Sequence, residues 1–398
     1  MILKYPSDEK KIYELFEDFA IDEKIIEAVK KIVLSVKNEG DSAIIEFTER
    51  FDKIRLKSIK ISEEELQDAY KRIKKGDLTA IKFSIKNITN FHKKGIRKPW
   101  KQTKDGKTLG EIVRPIRRVG LYIPGGKFPL ISTLLMTAIP AKIAGCSEIA
   151  VCSPPPISEC ILGVCFLLEL REVYSIGGAQ AIAAFAYGTE SVKKVDFIAG
   201  PGNIYVTAAK KLVFGDVGID LLAGPSEVLV IADSFAKQEF VELELLSQLE
   251  HGEGTKAILI TTSNTLAKKI ESKVSQAIII LAKTIDDCCF LSNEFAPEHL
   301  CIHTKNPESL LPKIESVGAI FPGQYSAVAL GDYIAGPSHV LPTGRSARFF
   351  SGLSVSSFQK KISLISYTKE GVLKDKSSIF LAELEGLKRH KKSIKIRI

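Results

Sequence analysis

The stretch Val173-Tyr-Ser-Ile-Gly-Gly-Ala-Gln-Ala-Ile-Ala-Ala-Phe-Ala186 contains the pattern that decides the fold class. It begins with a short apolar run, Val173–Ile176, which is typical of a buried β-strand. A Gly-Gly turn follows, and then an alanine-rich stretch, Ala179–Ala186, which favours a helix. Strand, glycine-rich turn and helix in this order are typical of an α/β fold with a mostly parallel sheet.

The same pattern recurs on both sides of this stretch, from about residue 112 onward. Seven more short apolar runs occur, at Val119–Ile123, Ile149–Cys152, Phe197–Ala199, Val228–Ala232, Ala257–Ile260, Leu300–Ile302 and Ala319–Phe321. Most of them end in Gly, Pro or Ser, and a second helical stretch is predicted at Tyr205–Leu212. We therefore expect ligands to bind where the carboxyl ends of the strands meet glycine-rich turns.

The first hundred residues indicate helices instead. Apolar residues recur there at steps of three and four, the spacing of an amphipathic helix, at Ile25, Val29, Ile32, Val33 and Val36. Gly40 is expected to end this helix. Ser62 and the glutamates that follow it predict a capping box at the start of another helix. The segment Gly95–Gly110, rich in Lys and Gly, predicts a loop or a hairpin.

The composition is that of an ordinary globular protein. The 398 residues include 56 Lys and Arg against 47 Asp and Glu, a net charge of +9, and 45% are hydrophobic. The length predicts two or three compact units. The densest apolar run, Ala277–Ala282, is far shorter than the ~18 residues of a membrane span, and the N-terminus lacks the features of a secretory signal. We expect a cytoplasmic protein without a membrane partner.

The cysteines and the basic tail have simple interpretations. Seven cysteines without a Cys-x-x-Cys pair predict reduced, mostly buried thiols, with neither a disulfide framework nor a thiolate zinc site, at positions 146, 152, 160, 165, 288, 289 and 301. The tail Lys388–Lys392 is strongly basic but carries no aromatic residue. It predicts a solvated helix, and nucleic acid is not an expected partner.

Two groups of residues could carry acid–base or metal chemistry. Gln248 and His251 are three residues apart, so on a helix their side chains share one face. Gly252 would end that helix and leave His251 in its last turn, where a plain capping histidine is an equally good interpretation. Glu298 and His299 stand just before an apolar run. A carboxylate beside an imidazole suits proton transfer near neutral pH.

Two further groups lie towards the C-terminus. Asp332 and His339 flank a Gly-Pro turn that could direct both side chains into one pocket, whereas Glu385 and His390 stand in the basic tail. Together with Gln248, such residues could form a nitrogen and oxygen site for zinc or a similar ion, but their spacing does not say which are ligands.

Several common catalytic motifs are absent from the sequence. It contains no His-Glu-x-x-His, P-loop, Gly-x-Ser-x-Gly or Gly-x-Gly-x-x-Gly. Three glycine-rich turns could nevertheless hold a phosphate-bearing cofactor through backbone N–H groups, namely Gly120–Gly126, Gly177–Gln180 and Ala199–Asn203. The residues alone therefore predict an α/β enzyme with a possible metal site and a possible nucleotide site.

These segments, in this order, resemble the histidinol dehydrogenase family, and the resemblance covers nearly the whole chain. The matching motifs are Gly40-Asp41…Phe51-Asp52, Gly120–Gly126, Gly177–Ala181, Ala199–Asn203, Leu222–Glu227, Ser247–Gly252, Ala296–Leu300, Gly331-Asp332, His339–Pro342 and Glu385…His390.

The resemblance implies the two-step oxidation of L-histidinol to L-histidine through L-histidinaldehyde, the final step of histidine biosynthesis, with one NAD reduced in each step. It implies one zinc ion per site, held by Gln248, His251, Asp332 and His390. His299 would accept the hydroxyl proton, and Glu298 would activate water. The substrate would be contacted by these zinc ligands and by Ser226, His299, His339 and Glu385, and NAD by Tyr122, Gln180 and Asn203.

The resemblance also implies an architecture. It predicts two Rossmann-like parallel-sheet domains that lack the Gly-x-Gly-x-x-Gly fingerprint, with small helical extensions at both ends. The predicted units are an N-terminal extension (1–16), a catalytic and zinc-binding domain (17–118 with 226–352), an NAD-binding domain (119–225) and a tail (353–398). The resemblance further implies a homodimer in which the tail of one chain reaches the partner's site.

Two alternatives remain open at the level of the sequence. A relative on the same scaffold could oxidise another amino alcohol, but it would be expected to differ at His339 or Glu385. A non-catalytic nucleotide- or metabolite-binding protein would not require the adjacent pair Glu298 and His299.

Overall fold

The computed structural model describes residues 2–16, 20–125, 129–252 and 254–398. Its strands are β1 (Ile2–Lys4), β2 (Trp100–Lys104), β3 (Lys107–Pro115), β4 (Arg118–Tyr122), β5 (Glu148–Ser153), β6 (Glu172–Ser175), β7 (Phe197–Ala199), β8 (Gly218–Ile219), β9 (Glu227–Ala232), β10 (Lys256–Thr261), β11 (Ile278–Leu281), β12 (His299–His303), β13 (Ala319–Pro322) and β14 (Gln359–Tyr367).

The α-helices connect these strands and extend both termini. They are α1 (Glu9–Glu14), α2 (Glu23–Glu39), α3 (Asp41–Asp52), α4 (Glu63–Arg72), α5 (Lys75–His92), α6 (Ile131–Ala144), α7 (Glu159–Leu167), α8 (Gly178–Tyr187), α9 (Ile204–Val213), α10 (Gln238–Leu249), α11 (Asn264–Lys273), α12 (Ile285–Phe295), α13 (Val328–Leu330), α14 (Lys369–Lys374), α15 (Ser377–Leu384) and α16 (Lys388–Lys395).

Two parallel sheets form the framework and confirm the predicted α/β class. The first sheet has the order β1-β11-β10-β9-β12-β13, and the second sheet has the order β6-β5-β4-β7-β8. All eight predicted apolar runs form strands of these sheets. Because helices cover both faces of such sheets, their central strands are apolar without alternation, as β9 is from Val228 to Ala232.

A third, antiparallel sheet joins distant parts of the chain. The predicted hairpin forms as β2 and β3, and β14 pairs along β3 from Gln359 opposite Pro115 to Tyr367 opposite Lys107. The strand β14 leads into α14, α15 and α16, so this sheet ties the basic tail to the segment that precedes the second parallel sheet.

The N-terminal helices form as predicted, although their packing differs from the predicted domain division. The helix α2 ends at Gly40, and the capping box of Ser62 with Glu65 is present. The division placed residues 17–118 with the first sheet, but α2 and α3 share a core with α8 and α9 of the second, and α4 and α5 pack on α7 and α6. In the segment 1–16, β1 extends the first sheet. The boundaries themselves stay predictions.

The structure also bears on the thiols and on membrane insertion. All seven cysteines are free, and most of them are buried. Within the described ranges, no helix has both the length and the apolar character needed to cross a bilayer.

Candidate active site

The pair Glu298 and His299 lies where β9 and β12 begin side by side. His299 opens β12, and its Nδ1 lies 3.1 Å from the carbonyl oxygen of Glu227, the first residue of β9. Because a carbonyl only accepts, Nδ1–H donates, which leaves Nε2 as the basic nitrogen. The backbone N–H of Glu227 in turn donates to Glu298 Oε2 at 2.9 Å. One residue of the neighbouring strand thus orients both side chains.

Burial shifts the pKa values of both groups. It lowers the pKa of His299 to about 4, and electrostatic repulsion from the His339 and His251 rings adds to this effect. The imidazole is therefore neutral near pH 7. Burial also raises the pKa of Glu298 well above its usual value, which makes the ionised carboxylate a stronger base than an exposed glutamate.

His339 and Asp332 lie against the same cleft as His299. The Nδ1–H of His339 donates to the backbone carbonyl of Asp332 at 3.1 Å, and its Nε2 accepts from the hydroxyl of Thr133 at 3.1 Å. Asp332 belongs to a π-helical turn, Gly331–Ala335, a local distortion that is frequent at functional sites. The cleft has a volume of about 340 Å³ and contains His299, Asp332 and His339 in its wall.

Gln248 and His251 reach this region from α10. Gln248 lies in the last turn of the helix, is buried, and leaves its amide nitrogen without a hydrogen-bond partner among the described residues. His251 was predicted in that last turn, but the helix ends at Leu249 and His251 lies beyond it, exposed. Electrostatic repulsion from the His251 ring adds to the effect of burial in lowering the pKa values of His299 and His339, so His251 lies near the cleft.

The donor set of this region suits a divalent cation. An amide, an imidazole and a carboxylate offer oxygen and nitrogen ligands of the kind that zinc accepts. The unpartnered amide of Gln248 is a polar group in need of a ligand, and a 180° rotation of that amide would put its carbonyl oxygen in the same place. Burial raises the pKa of Asp332 to about 6, which is the cost that a nearby cation would offset.

Of the remaining residues predicted to contact the substrate, one lies near the site and two have no described contact with it. Ser226 directly precedes β9 and is partly buried. Glu385 and His390 are exposed at the ends of α15 and α16. No described contact within the single chain joins those two to His299, so the chain alone does not assemble the predicted set.

Glu227 is a site residue that the sequence analysis missed. Its side chain is buried, accepts from the backbone N–H of Gly344, and has a pKa raised by burial to about 7. The signal available in the sequence was a carboxylate at the start of an otherwise apolar strand, because burying a carboxylate is costly unless hydrogen bonds or a charge partner compensate for the lost water.

The predicted NAD residues meet at the carboxyl ends of the second sheet. Tyr122 ends β4, and its hydroxyl accepts from the backbone N–H of Gly178 at the start of α8. Gln180 follows in the first turn of α8, buried, with its side-chain oxygen unpartnered among the described residues. Asn203 caps α9. Two helix N-termini that open at one sheet edge favour a phosphate group. Gly126, in the first glycine-rich turn, lies outside the described residues.

The two sheets therefore present opposite ends to their ligands. The turns after β4, β6 and β7 lie at carboxyl ends, as expected. In contrast, Glu227 and His299 stand at the amino ends of β9 and β12, so the proposed catalytic pair of the first sheet does not lie at the carboxyl ends. The reason is that α10 runs back along that sheet and ends, with Gln248, beside the strand starts.

Comparison with known proteins gives one consistent result. The family model described as histidinol dehydrogenase matches residues 18–398. The histidinol dehydrogenase of Vibrio cholerae is 42% identical over 94% of this chain and 92% of that protein, and that of Chlorobium chlorochromatii is 40% identical over 100% and 99%. The crystal structure of histidinol dehydrogenase from Elizabethkingia anophelis is similar with a TM-score of 0.94 and 37% identity, covering 100% of this chain and 98% of that one.

Proposed function

The chain belongs to the histidinol dehydrogenase family, and from this premise we propose that it oxidises L-histidinol to L-histidine through L-histidinaldehyde, reducing one NAD in each of two steps. The observation that carries the proposal is the buried pair Glu298 and His299, oriented by Glu227 at the wall of the cleft. An alcohol oxidation and an aldehyde oxidation need two different bases, and this pair supplies them side by side.

In the first step His299 would accept a proton from the substrate. Its Nε2 is the basic nitrogen because Nδ1–H is held by the Glu227 carbonyl. As the hydroxyl proton moves to Nε2, the carbon-bound hydrogen leaves as a hydride to NAD, and the alcohol becomes an aldehyde. A neutral imidazole is required, and burial keeps it neutral.

In the second step Glu298 would act on water. Its carboxylate would remove a proton from a water molecule that adds to the aldehyde carbon, while His299 returns the proton it took in the first step to the carbonyl oxygen, giving the hydrated aldehyde and a neutral imidazole. A second hydride then leaves to NAD, with the neutral His299 again accepting a hydroxyl proton, and the carboxylate product forms. The raised pKa of Glu298 supports this role, since a stronger base polarises water better.

Zinc would be held by Gln248, His251 and Asp332, with His390 completing the set. When bound, the ion would supply a template for the imidazole and amine of the substrate. Ser226, His339 and Glu385 would contact the same substrate. NAD would lie against Tyr122, Gln180 and Asn203, at the edge where α8 and α9 begin.

A second copy of the chain would provide the tail residues. The helix α15 leaves Phe380 66%, Leu381 61% and Leu384 84% exposed. Such a run of apolar side chains on one short helix indicates a covered surface. We propose a homodimer with shared sites, in which Glu385 and His390 of one subunit reach the cleft of the other; the cytoplasmic location stays a prediction.

Separate assays of the two half-reactions test the roles of the pair. Glu298→Gln should still convert histidinol to the aldehyde but lose the aldehyde oxidation by about 10²–10⁴-fold, the usual contribution of a general base. His299→Asn should lose both half-reactions by a similar factor. Equal losses in both half-reactions for Glu298→Gln would contradict its role as the base for water.

A further inference from the structure

A second cluster of potential metal ligands lies between the first sheet and a helix that packs on it. The cluster consists of Glu244 on α10 with Cys301 and His303 on β12. One ligand atom of each residue, a carboxylate oxygen, the thiol sulfur and an imidazole nitrogen, lies within 4.8 Å of the others, and all three residues are buried. Small rotations of these side chains would bring the three atoms within bonding distance of a single ion.

The fold explains how these residues meet. Alternate residues of a strand point to the same face, so Cys301 and His303 share the face of β12 that also carries His299. The helix α10 packs on this face, where Val241, Leu245 and Cys301 belong to one apolar core. Strand geometry puts the two β12 residues of the cluster away from the candidate active site, with Cys301 about 7 Å and His303 about 13 Å beyond His299, whereas Glu244 lies one helical turn before Gln248.

The side chain of His303 indicates that a ligand is missing from the cluster. Its side chain is fully buried, and neither ring nitrogen has a hydrogen-bond partner among the described residues. Burial lowers its pKa to about 4, so the imidazole is neutral and free to act as a ligand. Buried polar groups are nearly always satisfied. An imidazole left without a partner beside a thiol and a carboxylate therefore points to a bound ion.

We propose that Glu244, Cys301 and His303 form a second site for a divalent cation of borderline softness, of which Zn²⁺ is the best match. One thiolate and one carboxylate balance the two positive charges, which leaves the buried site neutral. Burial raises the pKa values of the Cys301 thiol and the Glu244 carboxyl group. The ion binds the deprotonated forms, so binding is coupled to proton release, and the oxidation state of the ion does not change.

This ion has a structural role. It links α10, which carries Gln248, to β12, which begins with His299. Because its ligands come from both the helix and the strand, the ion fixes the distance between these two elements. The proposal departs from the sequence-based expectation that no thiolate would bind zinc. That expectation rested on the missing Cys-x-x-Cys pair, and one cysteine can suffice when the fold adds a histidine and a carboxylate.

Substitution with Co²⁺ tests the proposal, because a thiolate bound to Co²⁺ absorbs in the near ultraviolet by charge transfer. The full-length protein is stripped of metal and titrated with Co²⁺. We expect this absorption in the wild type, its loss in Cys301→Ser, and its retention in the matched control Cys165→Ser, a buried thiol of the second sheet's layer. The bound metal per chain should fall by one ion in Cys301→Ser alone.

Two outcomes would overturn the proposal: no charge-transfer absorption in the folded wild type, or absorption that survives Cys301→Ser. If Cys301→Ser does not fold, His303→Asn provides the second variant: combined with Asp332→Ala, it should lose the rise in melting temperature that Zn²⁺ gives to Asp332→Ala alone. The Asp332→Ala variant separates the two sites. It should lose dehydrogenase activity and keep the absorption.

Discussion

The ion pair of Lys210 and Asp220 holds the glycine-rich turn at the proposed NAD site. The side chains are 2% and 1% exposed, and Lys210 Nζ lies 2.6 Å from Asp220 Oδ1. The same ammonium donates to the carbonyl of Gly200 at 2.6 Å, and Asp220 Oδ2 accepts from the backbone N–H of Gly200 at 2.7 Å. Both polar groups of Gly200, which has a φ of +120°, are thus fixed by one buried pair.

Replacing Lys210 with Met should lower the free energy of unfolding by about 3–5 kcal/mol, the usual result of removing one partner of a buried ion pair. In this variant the Asp220 carboxylate still accepts hydrogen bonds from the backbone N–H groups of Gly200 and Leu221. We therefore expect the loss of unfolding free energy to lie at the lower end of this range, at about 3 kcal/mol. The same change frees one side of the Gly200 turn. It should therefore weaken NAD binding and leave the cleft around His299 intact.

Urea unfolding followed by circular dichroism measures the first effect, and NAD titration of the folded protein measures the second. Lys211→Met is the matched control, since Lys211 is the next residue of α9 and is exposed; it should change the free energy of unfolding by less than about 0.5 kcal/mol. Adding Asp220→Asn to Lys210→Met should recover part of the loss by removing the unpaired charge. A Lys210→Met variant as stable as Lys211→Met would refute this reasoning.

Two further predictions concern the dimer and a buried imidazole. Asp332→Ala and His390→Ala should each be inactive, but mixing them with subunit exchange should restore activity, because one heterodimer site would be intact; no recovery after verified exchange would contradict sharing in trans. Burial lowers the pKa of His92 to about 4, below the ~6.5 of the unfolded chain. Its contribution to stability is thus complete above pH 6.5 and falls by up to about 3 kcal/mol towards pH 4. His92→Asn should show a correspondingly shallower decline in unfolding free energy between pH 7 and 4, and an unchanged decline would contradict it.

The strands were predictable where burial makes them continuously apolar. All eight predicted runs are strands because parallel strands covered by helices need apolar residues on both faces. The strand β14 was not predicted, since most of its residues are exposed and its partner β3 is some 250 positions away in sequence. Likewise, the stripe of α2 predicted a buried face but did not indicate which sheet covers it.

The candidate site was predictable where chemistry and sequence neighbours coincide. Glu298 with His299, and Asp332 with His339, were recognisable as pairs, and the structure brings His299, Asp332 and His339 to one cleft, with Glu298 adjacent to His299. Glu227 orients the pair through its backbone N–H and carbonyl, contacts that the sequence does not indicate, and its one sequence signal was a carboxylate at the start of an otherwise apolar strand. The cluster of Glu244 with Cys301 and His303 needs a helix packed on a strand, so only three-dimensional contacts show it.

The central claim is a zinc-dependent oxidation that transfers two hydrides from one substrate. Its most direct test is the number of NADH molecules formed per histidinol consumed, with and without a zinc chelator. We expect two NADH per histidinol, activity lost on chelation and restored by Zn²⁺. One NADH with release of the aldehyde, or activity that chelation leaves unchanged, would contradict the account.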